Sequence, residues 1–150
     1  MDPKNNLALK IQGSIGADEI NVLNLLKNCH SPYIVRIYII EHFLINQESL
    51  RRLKAPFKEL GNFFNHPDNT SIKVIGIGME AVDGTNLRSL KGTISDKKLF
   101  KFILQIASGL EWLHSKNIVH RDIKPSNLVL DAKLTAVKIK IDFFHNFRLK

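Results

Sequence analysis

A single cysteine, Cys29, occurs in the 150 residues. One thiol closes no bridge within the chain, so the disulfide framework that holds small secreted domains together is excluded. No apolar run approaches the roughly 20 residues that a helix needs to cross a bilayer. The opening stretch Met1-Asp2-Pro3-Lys4-Asn5-Asn6 lacks the basic segment and apolar core of a secretory signal. These absences lead us to expect a cytoplasmic chain, with the nucleus also open to it. Eight glycines and five prolines are too few for a collagen-like or low-complexity chain, and no internal repeat is visible. His30, His42, His66, His114 and His145 show no metal-ligand spacing. Acidic residues are scarce beside basic ones, 14 against 22, which leaves a net charge of +8. Such a surface attracts polyanions. Only Arg51-Arg52-Lys54 and Lys97-Lys98 cluster, however, so the charge reads as a solvated surface and a nucleic-acid partner is not expected.

What is present fits an ordinary globular chain. Hydrophobic residues make up 44% and charged residues 24%, and a compact domain of this length buries roughly two-thirds of its unfolded surface. The apolar period changes several times, as in a mixed α and β protein. Leu7 to Ile11 reads as a strand that Gly13-Ser14-Ile15-Gly16 breaks. A helix is predicted over Ala17 to Asn28, with Asp18 and Glu19 in its first turn, where negative charge suits the helix dipole. Its apolar stripe runs through Ile20 and Leu23, broadened by Val22, Leu25 and Leu26. Tyr33 to Phe43 and Ile72 to Met79 are rich in β-branched and aromatic residues and read as strands. Between them, about Asn46 to Ser71, lies an insert with one short helix through Leu50, Leu53, Phe57 and Leu60. Asp83-Gly84-Thr85-Asn86 then punctuates the chain as a hinge. The clearest helix follows Ser95-Asp96, with Leu99, Ile103, Ile106, Leu110 and Leu113 at alternating steps of four and three. Gly109 costs that helix about 1 kcal/mol against alanine, which points to close packing there. Ile118-Val119, Leu128 to Leu130 and Val137 to Ile141 read as short strands.

The chemistry concentrates in one loop. His120-Arg121-Asp122-Ile123-Lys124-Pro125-Ser126-Asn127 offers a carboxylate, an ammonium and an amide after an apolar strand. Phosphoryl transfer requires such a set: an acid to deprotonate the attacking hydroxyl, a cation to balance the moving phosphoryl group, and an amide oxygen to hold Mg²⁺. Asp142 follows the strand Val137 to Ile141, where it can supply a second metal ligand.

This loop resembles the catalytic loop H-R-D-L-x-x-x-N of the eukaryotic protein kinases, and Asp142-Phe143-Phe144 resembles their D-F-G turn. The Lys-Pro-Ser-Asn form is similar to the serine/threonine branch. Leu7-Ala8-Leu9-Lys10 resembles the strand motif V-A-I-K, and Glu19 opens the helix whose glutamate pairs with that lysine. Ser31-Pro32-Tyr33-Ile34-Val35 is similar to H-P-N-I-V. Met79-Glu80-Ala81-Val82 resembles the gatekeeper and hinge. The resemblance runs from about Leu7 to Phe144. It implies an α+β, partial two-lobed kinase-like fold: a small antiparallel sheet plus helix over 1–82, with the insert at about 46–71, then the mainly helical beginning of the second lobe over 83–150. It also implies ATP and Mg²⁺ as cofactors and ATP-dependent phosphorylation of Ser or Thr in proteins. Asp122 and Lys124 would be catalytic, Asn127 and Asp142 would hold the metal, and Lys10, Glu19, Glu80, Val82 and Asn127 would bind the nucleotide, Glu80 and Val82 through their backbones. The position of the insert, together with the tract Lys116-Asn117-Ile118-Val119-His120, is similar to stress-responsive kinases of the translation-control and unfolded-protein groups.

Three departures from the family pattern set expectations of their own. Nine residues precede Lys10, too few for the glycine-rich loop. The third residue of the D-F-G turn is Phe144, which lacks the backbone freedom of glycine. The chain also carries no A-P-E motif or later helices, so it reads as truncated, and the face of the helix through Leu99, Ile103, Ile106, Leu110 and Leu113 is expected to lack cover. The alternative to a kinase is therefore a catalytically weak or inactive pseudokinase or decoy that uses this face to bind and regulate a full-length kinase.

Overall fold

The computed structural model describes residues 7–13, 15–46, 48–49, 71–90, 94–141 and 148–149. The expected helix through Leu50, Leu53, Phe57 and Leu60, and the turn Asp142-Phe143-Phe144, lie outside them. The N-terminal part rests on an antiparallel sheet of three strands, β1 (Leu7–Gln12), β2 (Ile37–Asn46) and β3 (Ser71–Glu80), in the order β1-β3-β2. β3 is central, and every residue from Val74 to Met79 is buried. A strand covered on both faces loses the alternation of an edge strand, which is why Ile72 to Met79 reads as one apolar run. The flanking strands do alternate, leaving Leu7, Leu9 and Leu44 exposed. The register sets Ala8 opposite Met79 and Lys10 opposite Ile77.

Helix α1 (Ala17–Asn28) has the predicted bounds and buries Val22, Leu23 and Leu26. Leu25, expected on the same stripe, is exposed instead, and Cys29 is half-buried. The strand expected from Tyr33 begins only at Ile37, because the residues before it pair elsewhere. The Ile139 N–H donates to the Tyr33 carbonyl at 2.8 Å and the Val35 N–H to the Ile139 carbonyl at 3.0 Å. This short parallel bridge fastens the chain after α1 to the second half of the molecule.

That half begins with α2 (Asp96–Ser115), which buries Phe102, Gly109 and Leu113. The expected uncovered stripe is therefore only half right. Leu99 and Ile103 are exposed, Ile106 and Leu110 are partly buried, and Leu113 is fully buried. Phe102, a flanking residue by sequence, is fully buried. After α2 come β4 (Ile118–Val119), β5 (Leu128–Leu130), β6 (Val137–Ile139) and β7 (Arg148–Leu149). β4 pairs with β7, and β5 pairs with β6. One apolar cluster joins α1, β3, α2 and β4 to β6.

Gly109 lies where α2 packs closely against Tyr33 and Ile139. A Cβ there would lie 2.9 Å from Ile139 Cδ1, 3.1 Å from Tyr33 Cβ and 3.3 Å from the Tyr33 carbonyl oxygen. Alanine would gain the helix about 1 kcal/mol of propensity, while overpacking costs about 1–3 kcal/mol. The Tyr33 backbone cannot rotate aside, so Gly109→Ala should lower stability in urea unfolding by about 1 kcal/mol. A gain in stability would show that the contact yields.

Candidate active site

The loop His120–Asn127 is clamped by one residue of the neighbouring strand segment. The Lys140 N–H donates to the Asn127 carbonyl at 2.8 Å, and the Lys140 carbonyl lies 3.1 Å from His120 Nε2. A carbonyl only accepts, so Nε2 carries the proton. Nδ1 is then an acceptor, and it takes the Asp122 N–H at 3.2 Å. His120 is 1% exposed. Its ring is a strut between the β6 end and the backbone of Asp122.

Arg121 lies between them with φ 58°, in the left-handed region that side-chain-bearing residues occupy at a cost of about 1–3 kcal/mol. The His120 contacts on one side and the short 3-10 turn Pro125–Asn127 on the other hold it there. This bend brings three side chains of the loop together. Asn127 Nδ2 donates to the Asp122 carbonyl at 2.9 Å and to Asp122 Oδ2 at 2.8 Å. Lys124 Nζ lies 2.8 Å from the same Oδ2. Both Asp122 atoms facing Asn127 only accept, which fixes its amide orientation and leaves Oδ1 as the atom able to ligate a cation. Asn127 is buried, whereas the Lys124 side chain is 44% exposed.

The remaining predicted residues are placed differently. Lys10 is half-buried on β1, while the Glu19 carboxylate turns back over Gly16 at the start of its own helix. The Glu80 N–H is taken by the Arg36 carbonyl at 2.8 Å, and the Val82 carbonyl accepts the Gly84 N–H at 3.0 Å. Of the backbone groups expected to meet an adenine, two are thus already engaged. Asp142 lies outside the described residues. The hinge itself runs along β5, with the Leu130 N–H donating to the Thr85 carbonyl at 2.7 Å and a bridge between Asn86 and Val129.

Sequence reading missed a tie across the hinge. The Glu80 carboxylate accepts from Lys138 Nζ on β6 and from the Arg36 N–H at 3.2 Å. Beside it opens a groove of about 300 Å³ lined by Ala81, Val82, Asp83 and Lys133. Alternation around Val137 and Ile139 places Lys138 on the opposite face, but nothing in the sequence names its partner. Both side chains are about three-quarters buried. A double-mutant cycle with Glu80→Gln and Lys138→Met should give a coupling of about 1 kcal/mol, the upper end for partly solvated pairs. A coupling of zero would make the pair incidental.

Comparison with known proteins adds an independent finding. A model of the protein kinase domain matches residues 8–145. Mitogen-activated protein kinase kinase 7 of Arabidopsis thaliana is 42% identical over 116 residues, which cover 77% of this chain and 35% of that protein. Mitogen-activated protein kinase kinase 9 of the same plant is 41% identical over an equal stretch, with the same coverage. MAP kinase kinase skh1/pek1 of Schizosaccharomyces pombe is 30% identical over 114 residues, 74% of this chain and 25% of that protein. The chain spans about a third of the length of the first two.

Proposed function

The chain belongs to the protein kinase family, and on that premise we propose that its loop serves the transfer of the γ-phosphoryl group of ATP to a Ser or Thr hydroxyl of a protein. The observation that carries this reading is the meeting of Lys124 Nζ and Asn127 Nδ2 on one oxygen of Asp122, each at 2.8 Å. The Asp122 carboxylate takes the hydroxyl proton as the oxygen bonds to the γ-phosphorus, the bond to the β–γ bridging oxygen breaks, and ADP leaves. Lys124 shifts from Asp122 towards the phosphoryl oxygens, where its charge is needed in the transition state.

The Asn127 amide oxygen and the Asp142 carboxylate suit a hard divalent cation. Phosphate oxygens of the nucleotide would complete such a shell. When bound, Mg²⁺ neutralises the nucleotide phosphates. Lys10 and Glu19 act as a nucleotide clamp once the Glu19 side chain leaves its place over Gly16. The backbone N–H of Val82 and the carbonyl of Glu80 would be the groups that meet adenine. In this reading residues 1–82 form the partial first lobe and 83–150 the beginning of the second.

The test is incorporation of labelled phosphate from ATP and Mg²⁺ into casein by the purified chain and by Asp122→Ala. Incorporation that disappears in the variant supports the reading, and equal incorporation by both overturns it. A second reading, a regulatory decoy, draws on the exposed Leu99, Phe100, Ile103 and Leu104 of α2. Its mark would be a silent chain that inhibits a partner kinase.

A further inference from the structure

The exposed end of α2 does not stand alone. It forms one wall of a groove of about 520 Å³, lined by Lys97, Lys98, Phe100, Lys101 and Leu104, with Leu134 and Thr135 of the β5–β6 turn opposite. Phe100 is 63% and Leu104 53% exposed, so the floor is apolar and open to solvent. The lining includes three lysines and no carboxylate. Among the described residues none of these lysines is in an ion pair.

The opposite wall is built at a cost. Leu134 has φ 52°, a conformation in which a leucine is strained and a glycine or asparagine would not be. Asp131 imposes it. The Asp131 carbonyl accepts the Leu134 N–H at 2.9 Å, while its carboxylate accepts the N–H of Thr135 at 2.6 Å, that of Ala136 at 2.8 Å and the Thr135 hydroxyl at 2.6 Å. Burial acts to raise the Asp131 carboxyl, but these hydrogen bonds outweigh it and hold it below the ordinary value of 3.8. The turn therefore presents an apolar side chain to the groove from a backbone conformation that would otherwise select against it.

We propose that this groove docks a short extended peptide carrying apolar side chains next to acidic ones. Charge complementarity selects the occupant. Apolar side chains would seat between Phe100, Leu104 and Leu134, and flanking carboxylates would meet Lys97, Lys98 and Lys101. A nucleic acid would satisfy the lysines but leave the apolar floor uncovered. The inference does not depend on catalysis at Asp122.

The experiment uses the 150-residue chain and fluorescence anisotropy with a short labelled peptide of leucines interspersed with glutamates, beside its lysine-for-glutamate counterpart. The acidic peptide should bind, and Lys97→Glu with Lys101→Glu should weaken it by about tenfold or more, since charge reversal adds repulsion to the lost attraction. Phe100→Ala should weaken it comparably. Leu134→Asn should weaken it while the thermal midpoint changes little, because relief of the backbone offsets the lost packing. Equal binding of the basic peptide, indifference to the lysine reversals, or full displacement by a polyphosphate without apolar groups would overturn the proposal. So would sedimentation showing that a second copy of the chain occupies the face and that Phe100→Ala releases it.

Discussion

Asp122→Asn should lower phosphoryl transfer by about two to four orders of magnitude, the range for loss of a positioned general base, while leaving the fold intact. The replacement keeps the shape of the side chain and an oxygen that can accept from Asn127 Nδ2 and Lys124 Nζ, now each at 2.8 Å from Asp122 Oδ2. It removes the basicity. The backbone contacts that set the loop, His120 to Asp122 and Asn127 to Lys140, do not involve the carboxylate and should persist. Stability should change by no more than about 1 kcal/mol, since the lysine is 44% exposed and partly solvated pairs contribute little. The kinetic signature is a fall in kcat with KM for ATP unchanged, because in the proposed reaction the carboxylate would meet the hydroxyl and not the nucleotide. A variant within tenfold of the parent would remove Asp122 from the chemistry. Lys124→Met should cost less, about 10²-fold, as loss of a single charge-stabilising group.

The local parts of this site were legible in the sequence because they lie within eight consecutive residues, His120 to Asn127. The bounds of α1 were legible because its breakers and its periodicity agree. What escaped is non-local. The Lys140 backbone clamps both ends of the loop, and a backbone contact leaves no trace in residue type. The Glu80–Lys138 pair joins residues 58 apart. On α2 the pattern marks an apolar face correctly, but the face that is buried runs through Phe102, Ile106, Gly109 and Leu113. Its centre is a glycine, which adds no hydrophobic signal although it packs closely against Tyr33 and Ile139. Leu99 and Ile103 therefore looked central by spacing and lie at the margin. Tyr33 to Val35 carry strand-forming residues and do pair, but with β6 rather than β3. Propensity states that a segment is extended and leaves its partner open.

Gly84→Ala should be among the most destabilising single-methyl additions in the chain. Next to Asp83, the glycine reads as turn punctuation, yet the structure gives a stronger reason for it. A Cβ at this position would collide with the Leu130 carbonyl oxygen and lie 2.8 Å from the Asp131 carbonyl carbon and 2.9 Å from that of Leu130. All three are backbone atoms, so no rotamer change relieves the contact. The hinge must move off β5, and with it the 2.7 Å bond from the Leu130 N–H to the Thr85 carbonyl and the Asn86–Val129 bridge. We expect a loss of about 3 kcal/mol, the upper end for an overpacked site, against a total of about 5–15 kcal/mol for an ordinary domain. Asp83→Ala, at an exposed neighbouring position, is the control and should stay within about 0.5 kcal/mol of the parent. Urea unfolding measures both, and hydrogen exchange at the Leu130 amide locates the damage. In Gly84→Ala that amide should exchange faster than global unfolding allows, because the strand pairing opens before the core does. Parent-like stability with a protected Leu130 amide would mean that the hinge is not seated on β5, and the cleft it positions would have to be redrawn.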